Sequence, residues 1–206
     1  GYAQLGYFFV SIDYRLSFEN TFPAQIEDCK CAVRFLRAKA GEYNIDPNRI
    51  GVWGASAGGH LAALLGTTGR VKELEGTGGW NEQPSHVQAV CDWFGPTDFT
   101  AANTELRYPV DLVAQLLGGS PLVLKDKAAK ASVTTYVTKE APPFLIMHGD
   151  KDTVVPLAQS QVLSERLKAA GVDTDFKVVQ GAGHGFGGIE EFKAVREFFD
   201  RRLQAG

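Results

Sequence analysis

The chain has 206 residues, with 21 Lys or Arg and 24 Asp or Glu, and therefore a formal charge of −3. No cluster of basic residues stands out, which argues against a nucleic-acid partner and against a polybasic membrane anchor. Hydrophobic residues form 44% of the chain and charged residues 22%, as in ordinary globular domains. No apolar run approaches the roughly 18 residues that a membrane span requires, so we expect none.

The cysteine content argues against a disulfide scaffold and against zinc. The three cysteines are Cys29, Cys31 and Cys91, and none of them forms a CxxC pair. Cys29 and Cys31 lie two apart on a predicted helix and point to different faces, so they cannot bridge each other. Two alternatives stay open, namely free thiols or one bridge from Cys29 to Cys91. We expect no metal.

Short apolar segments alternate with segments of helical periodicity. In chain order, the pattern predicts a strand over 7–12, a helix from Pro23 that stops at Gly41, a strand over 50–53, a helix over 61–65, a loop over 66–85, a strand over 87–94, helices over 110–117 and 122–131, a strand over 144–147, a helix over 157–170, a strand over 175–179 and a helix over 190–203.

This alternation predicts an α/β fold, with a mostly parallel sheet covered by helices on both faces. No repeat, low-complexity segment or linker divides the chain, so we expect a single domain over residues 1–206. The pattern is weakest over residues 100–141, where we expect a small cap above a site.

The segment Gly54-Ala55-Ser56-Ala57-Gly58 fits G-x-S-x-G, the nucleophile elbow. It directly follows the predicted strand over 50–53 and precedes a helix, which is the context that the motif requires. The two glycines are expected to let strand and helix backbones approach closely. Ser56 is therefore the predicted nucleophile, and the backbone N–H of Ala57 is expected to point at a developing oxyanion.

A serine hydroxyl needs a base, and four histidines are candidates. His184 lies in a glycine-rich loop after the last predicted strand, where it can hold an imidazole over the sheet edge. It is the predicted base. His60 is expected to be a packing residue and His148 a hydrogen-bonded structural one, and nothing favours His86.

The acid that orients the base is expected on a loop after an intervening strand. Asp150 and Asp152 follow the predicted strand over 144–147, and Asp152 lies further out on the loop. Asp150 is close enough to the strand end to bind backbone amides of the turn. With Asp152 as the acid, the chain order is Ser56, Asp152 and His184, which is the order of α/β-hydrolases.

Four motifs together resemble the α/β-hydrolase esterases of the feruloyl and acetyl-xylan esterase-like group, relatives of the hormone-sensitive-lipase class. They are residues 13–16 (Asp-Tyr-Arg-Leu), 54–62 (Gly-Ala-Ser-Ala-Gly-Gly-His-Leu-Ala), 92–98 (Asp-Trp-Phe-Gly-Pro-Thr-Asp) and 148–152 (His-Gly-Asp-Lys-Asp). In that group the residues matching Ser56, Asp152 and His184 form the catalytic triad. The resemblance implies hydrolysis of carboxylic esters of small acyl or phenolic acids, free or carbohydrate-linked, with no cofactor.

The chain departs from this group upstream of Asp13. Relatives carry a His-Gly-Gly-Gly-type loop whose amides complete the oxyanion hole, and the sequence contains none before residue 13. A core strand between the first two predicted strands is also absent. We therefore expect about three further N-terminal strands in the native protein, since the sheet needs its central strand. The second oxyanion donor stays unassigned.

Two alternative functions stay open. A serine peptidase of the prolyl-oligopeptidase type shares the triad order and the His-Gly-x-x-Asp loop, but it favours an aromatic residue where Ala57 stands. A non-catalytic hydrolase homologue is kept because the oxyanion loop is missing. A polysaccharide-linked substrate would favour an extracellular or periplasmic location, while the oligomeric state is left open.

Overall fold

A computed structural model of the chain describes residues 5–100 and 110–204. The strands β1 (Gly51–Ala55), β2 (Ala89–Trp93), β3 (Phe144–Gly149) and β4 (Thr174–Val179) pair in parallel in the order β1-β2-β3-β4. The α-helices of this part of the chain are α1 (Ala24–Ala38), α2 (Ala40–Tyr43), α3 (Ala57–Thr67), α4 (Val110–Leu117), α5 (Lys125–Ala131), α6 (Leu157–Ala169) and α7 (Ile189–Leu203). None of these helices is long and apolar enough to cross a bilayer.

The parallel register brings the carboxyl ends of all the described strands to one edge of the sheet. Ala55 pairs with Trp93, Trp93 with Met147, and Gly149 with Val179. The loops that follow β1, β3 and β4 therefore begin at the same edge, although they lie far apart in sequence. In open parallel sheets this edge is where ligands bind.

Strand residues alternate between two apolar clusters, one on each face of the sheet. Val90, Phe144 and Ile146 pack towards α1, α3 and α6. Cys91, Leu145 and Met147 pack towards α7. Both faces of the sheet are thus covered by helices, as the alternating pattern predicts.

The predicted strand over 7–12 is wrong. Over these residues the backbone joins no strand of the described sheet, and Phe8, Phe9 and Val10 are 51%, 63% and 40% exposed. Residues 7–12 and 50–53 both line a groove of about 550 Å³. Apolar, aromatic and β-branched composition fits a pleated, half-buried surface, but it cannot supply a neighbouring strand.

The predicted helix stop at Gly41 is also wrong. The first helix ends at Ala38, and Gly41 lies inside the short helix α2 that follows it. The chain leaves α2 at Asn44, which has a left-handed φ of 52°. Asn tolerates this conformation at a helix end almost as glycine does, so it supplies the stop.

All three cysteines are free thiols. Cys29 and Cys91 are both buried, but Cys29 belongs to the cluster on the α3 side and Cys91 to the cluster on the α7 side. The sheet lies between them, which rules out a bridge. Burial raises the pKa of Cys29 to about 12 and also raises the pKa of Cys91, so neither is a reactive thiolate.

Candidate active site

Ser56 occupies a sharp turn between β1 and α3. Its φ is 55° and its ψ is −119°, a conformation that a residue with a Cβ rarely adopts. Its N–H donates to the carbonyl of Trp93 at 2.8 Å, and its carbonyl accepts the N–H of His60 at 3.0 Å. These bonds to β2 and to the first turn of α3 hold the strained residue in place, as the nucleophile-elbow pattern requires.

The two glycines of the G-x-S-x-G motif differ in their roles. A Cβ on Gly54 would overlap the carbonyl group of Gly58, so the strand and helix backbones touch at this point. A Cβ on Gly58 would meet no described atom within 4 Å, because it would face the groove beside β1. The expectation of a close approach is correct for Gly54 and wrong for Gly58.

Asp152 is held by the turn that follows β3. One carboxylate oxygen, Oδ1, accepts the backbone N–H groups of Val154 and Val155 at 2.8 and 2.9 Å, and the side chain has no exposed surface. Burial alone would raise the pKa of Asp152. The hydrogen bonds from His184 and from the two backbone amides outweigh burial and lower that pKa, which keeps the group ionised at neutral pH.

His184 lies at the tip of a tight turn between β4 and α7. The N–H of Gly185 donates to the carbonyl of Gly183 at 2.9 Å, and the φ of Gly185 is 137°. That φ favours glycine, so Gly185 lets the chain reverse immediately after the histidine. The N–H of Lys151 donates to the carbonyl of Ala182 at 2.9 Å and ties the turn to the loop after β3.

The structure brings Ser56, Asp152 and His184 together. Nδ1 of His184 lies 2.8 Å from Oδ2 of Asp152, and Nε2 lies 2.9 Å from Oγ of Ser56. An ionised carboxylate only accepts, so the partners assign the proton to Nδ1 and leave Nε2 free to accept the serine hydroxyl. Ala57 is the exposed first residue of α3, where a backbone N–H has no partner within the helix.

His60, His86 and Asp150 are not part of the triad. His60 is buried in α3 with Nε2 2.7 Å from the carbonyl oxygen of Ala131, and burial lowers its pKa to about 4. His86 is exposed before β2. The carboxylate of Asp150 accepts the N–H of Gly181 at 2.6 Å, the backbone role foreseen for it.

Phe94 contacts the predicted base, which sequence reasoning did not foresee. Its ring meets the imidazole of His184 edge-on, with centroids 4.8 Å apart, and its N–H donates to the carbonyl of Met147 at 2.8 Å. Its φ is 45°, which is strained for a bulky residue and places the ring against His184 instead of continuing β2. Phe94 belongs to one of the four motifs, but no sequence signal gives its backbone angle.

Asp92 is a second residue without a sequence-based role. Its side chain is fully buried below the Ser56 turn, where Oδ1 accepts the N–H of Gly95 at 2.9 Å. The other carboxylate oxygen has no hydrogen-bond partner among the described residues. Burial raises the pKa of Asp92 from 3.8 to about 7.

Replacing Asp92 by Asn is expected to change how stability depends on pH. Because the folded-state pKa is the higher one, the folded protein keeps a proton that the unfolded chain releases, and the free energy of unfolding falls as pH rises from about 4 to 7. Asn resembles the neutral acid and does not titrate. The free energy of unfolding of Asp92→Asn minus that of wild type should therefore increase by roughly 2–3 kcal/mol between pH 5 and pH 8, as measured by urea unfolding. A difference that is the same at both pH values would contradict the raised pKa of Asp92.

No metal cluster accompanies this site within residues 5–100 and 110–204. Nowhere in those ranges do three or more His, Cys, Asp or Glu side chains gather in a way that could hold an ion. The polar groups at the site itself, Ser56, His184 and Asp152, already bind one another.

Comparison with known proteins assigns the family. A family model described as BD-FAE matches residues 1–167. The chain belongs to the BD-FAE family. This membership confirms the resemblance to esterases that the four motifs indicate.

Relatives of this BD-FAE chain are named esterases. It is 36% identical to "Esterase LipQ" of Mycobacterium tuberculosis over 186 residues, which cover 89% of the chain and 44% of LipQ. Among solved structures, a truncated form of a carbohydrate esterase from gut microbiota has 38% identity and a TM-score of 0.87, covering 93% of this chain and 72% of that one. The bifunctional GH43-CE of Bacteroides eggerthii has 40% identity and a TM-score of 0.87, and the match covers 93% of this chain and 29% of that one.

These likenesses confirm the α/β-hydrolase fold class of the BD-FAE chain. They cover nearly all of it, but it spans less than half the length of LipQ.

Proposed function

We propose that this protein is a serine esterase that hydrolyses carboxylic esters through an acyl-enzyme intermediate. The observation that carries the proposal is the continuous hydrogen-bonded chain from Ser56 Oγ through the His184 ring to the Asp152 carboxylate. Only the nucleophile and the base are partly accessible, whereas the carboxylate is shielded from water. This combination of a partly accessible serine, an imidazole in contact with its hydroxyl and a buried acid suits acyl transfer.

In the proposed reaction, Nε2 of His184 takes the proton of Ser56 Oγ as the oxygen attacks the ester carbonyl. The carbonyl π electrons move to its oxygen, and the N–H of Ala57 is placed to stabilise that oxyanion. Asp152 stays ionised and stabilises the imidazolium. The C–O bond to the alcohol then breaks, and His184 returns the proton to the leaving oxygen. Water repeats the sequence on the acyl-enzyme, which releases the acid and restores Ser56.

We further infer that the substrates are esters of small acyl or phenolic acids, free or attached to carbohydrate. The named carbohydrate esterases among the similar structures support the carbohydrate-linked class. The aromatic rings of Trp93, Phe94 and Phe186 pack together with centroids 4.8 to 6.5 Å apart, and Phe94 also contacts the His184 imidazole, so the wall behind the base is apolar. No cofactor or metal takes part in the proposed steps.

We also infer that the described residues form one hydrolase domain, because both apolar clusters share a single sheet. The small cap expected within 100–141 includes residues 101–109, which lie outside the described residues. Its described part, α4 and α5, buries Leu117 and Ala131 in the cluster on the α3 side. The cap stays a prediction.

Covalent labelling tests the nucleophile independently of substrate choice. A 4-nitrophenyl alkylphosphonate should release about one equivalent of nitrophenolate per chain and add a phosphonyl group to Ser56, found by peptide mass spectrometry. Wild type should also hydrolyse 4-nitrophenyl acetate and feruloyl esters but not an aminoacyl-proline amide. The matched control is Ser120→Ala, whose hydroxyl accepts the N–H of Leu122 in the loop between α4 and α5 and which should be labelled at Ser56 as wild type is. Labelling of another residue, or faster cleavage of the amide, would refute the proposal.

A further inference from the structure

His148 is a buried imidazole that contacts the site and has no part in the proposed steps. It lies near the carboxyl end of β3 and has no exposed surface. Its Nε2 lies 2.9 Å from the carbonyl oxygen of Val155 and 3.1 Å from Oδ2 of Asp152. Its Nδ1 lies 2.7 Å from Oγ of Ser160 on α6. One ring nitrogen is thus placed against the same carboxylate oxygen that receives His184.

The partners of His148 determine where its proton lies. A carbonyl oxygen only accepts, so Nε2 carries the hydrogen and donates towards Val155, with the Asp152 carboxylate beside it. Burial lowers the pKa of His148, so its ring is neutral and Nδ1 keeps a lone pair. The hydroxyl of Ser160 must then donate to Nδ1. Donation therefore runs in one direction, from Ser160 through His148 to the Val155 carbonyl, with Oδ2 of Asp152 3.1 Å from the donating nitrogen.

The carboxylate of Asp152 is surrounded on both oxygens. Oδ1 accepts two backbone amides, while Oδ2 lies 2.8 Å from Nδ1 of His184 and 3.1 Å from Nε2 of His148. The described titratable groups that face His148 are Asp152 and His184 themselves. A neutral donor beside Oδ2 fixes the plane of the carboxylate and takes up part of its negative charge, which moderates the hydrogen bond to His184.

Resting on the proposed function, we propose that His148 is a positioning residue for Asp152 and His184. The Nε2–H of His148 holds Oδ2 of Asp152 in place. It also limits how strongly the carboxylate stabilises the protonated form of His184. Ser160 acts one step further away, because its hydroxyl fixes the tautomer and the orientation of the His148 ring. Neither residue touches substrate.

The first test compares two buried serines of α6. Ser160→Ala removes the donor to Nδ1, whereas Ser164→Ala removes a hydroxyl one turn later, and both positions are buried. We expect Ser160→Ala to lower kcat for 4-nitrophenyl acetate several-fold with KM unchanged, and Ser164→Ala to leave both constants at wild-type values. Equal behaviour of the two variants would contradict the role given to Ser160.

The second test changes His148 itself. His148→Leu fills the space without a donor, and His148→Gln can return an N–H near the position of Nε2. Loss of the Nε2–H that lies against the charged Oδ2 predicts that His148→Leu lowers kcat by about tenfold or more, and that His148→Gln restores part of it. The acid limb of the plot of kcat/KM against pH should move to higher pH in His148→Leu. Without the His148 N–H beside it, the Asp152 carboxylate stabilises protonated His184 more strongly.

A spectroscopic reading separates this inference from the proposed function. The low-field proton resonance of His184 Nδ1–H should move further downfield in His148→Leu, and this needs no turnover. An unmoved resonance and pH profile, with only a lower free energy of unfolding, would show that His148 is a packing residue and overturn the inference. If the wild-type protein shows no turnover that depends on Ser56, the proposed function is contradicted. The position of the His184 resonance would still decide the role of His148.

Discussion

Replacing Ser56 by Ala is expected to lower kcat/KM for 4-nitrophenyl acetate by about 10⁴- to 10⁶-fold, and His184→Ala by a similar factor. Without the hydroxyl no acyl-enzyme forms, and without the imidazole nothing accepts the proton of the attacking oxygen at neutral pH. The 2.9 Å contact between Oγ and Nε2 makes the two groups a single unit. The double variant should therefore be no slower than either single variant.

His60→Gln serves as the control for loss of an imidazole. His60 is buried on α3, and its side chain bonds the carbonyl oxygen of Ala131 at 2.7 Å, so that only its backbone N–H contacts Ser56. Gln can keep a donor there, so we expect kcat/KM near the wild-type value. Additive losses in the Ser56 and His184 variants, or wild-type rates in either one, would show that the observed geometry does not drive the reaction.

Gly54→Ala is expected to have the largest effect on folding. Its methyl group, which is fixed rigidly to the backbone, would overlap the backbone carbonyl of Gly58, and no side-chain rotation can relieve the clash. Overpacking of this kind predicts a loss of about 3 kcal/mol or more in the free energy of unfolding, measured in urea. Any folded fraction should also lose activity, because the turn that carries Ser56 must shift.

Gly58→Ala is the matched control from the same motif. A methyl group at residue 58 meets no described atom within 4 Å, and the residue lies inside α3. Because Ala favours a helix over Gly, the variant should be as stable as wild type or more stable by about 0.5–1 kcal/mol. Equal destabilisation by the two substitutions would mean that the close approach at residue 54 does not decide the stability of this turn.

Much of the fold could be predicted because its signals are local. The helix over 110–117 has the predicted bounds, and β3 and α6 begin where periodicity places them. Strand and helix periods reflect which side chains must be buried, and neighbouring residues carry that information. The segment 7–12 shows the limit of this reasoning, because its composition suits a strand while the structure pairs it with none.

Chain order and local context predicted each of the three site residues, Ser56, Asp152 and His184. They do not give the distances between the side-chain atoms. The sequence contains no sign that Nε2 of His148 lies 3.1 Å from Asp152, or that the two glycines around Ser56 carry different steric roles. His148 was expected to be structural because a histidine at a strand end usually is, and its contact with the carboxylate depends on how the loop of 149–155 folds back.

The sequence by itself determined the alternation of strands and helices, the family and the order of the three site residues, since each depends on residue type and local spacing. Only the tertiary structure decided which side chains share one carboxylate, why Cys29 and Cys91 stay apart, and where Phe94 meets His184. These outcomes depend on contacts between segments far apart in the chain. Their geometry is fixed by the parallel register that brings three loops to one edge of the sheet.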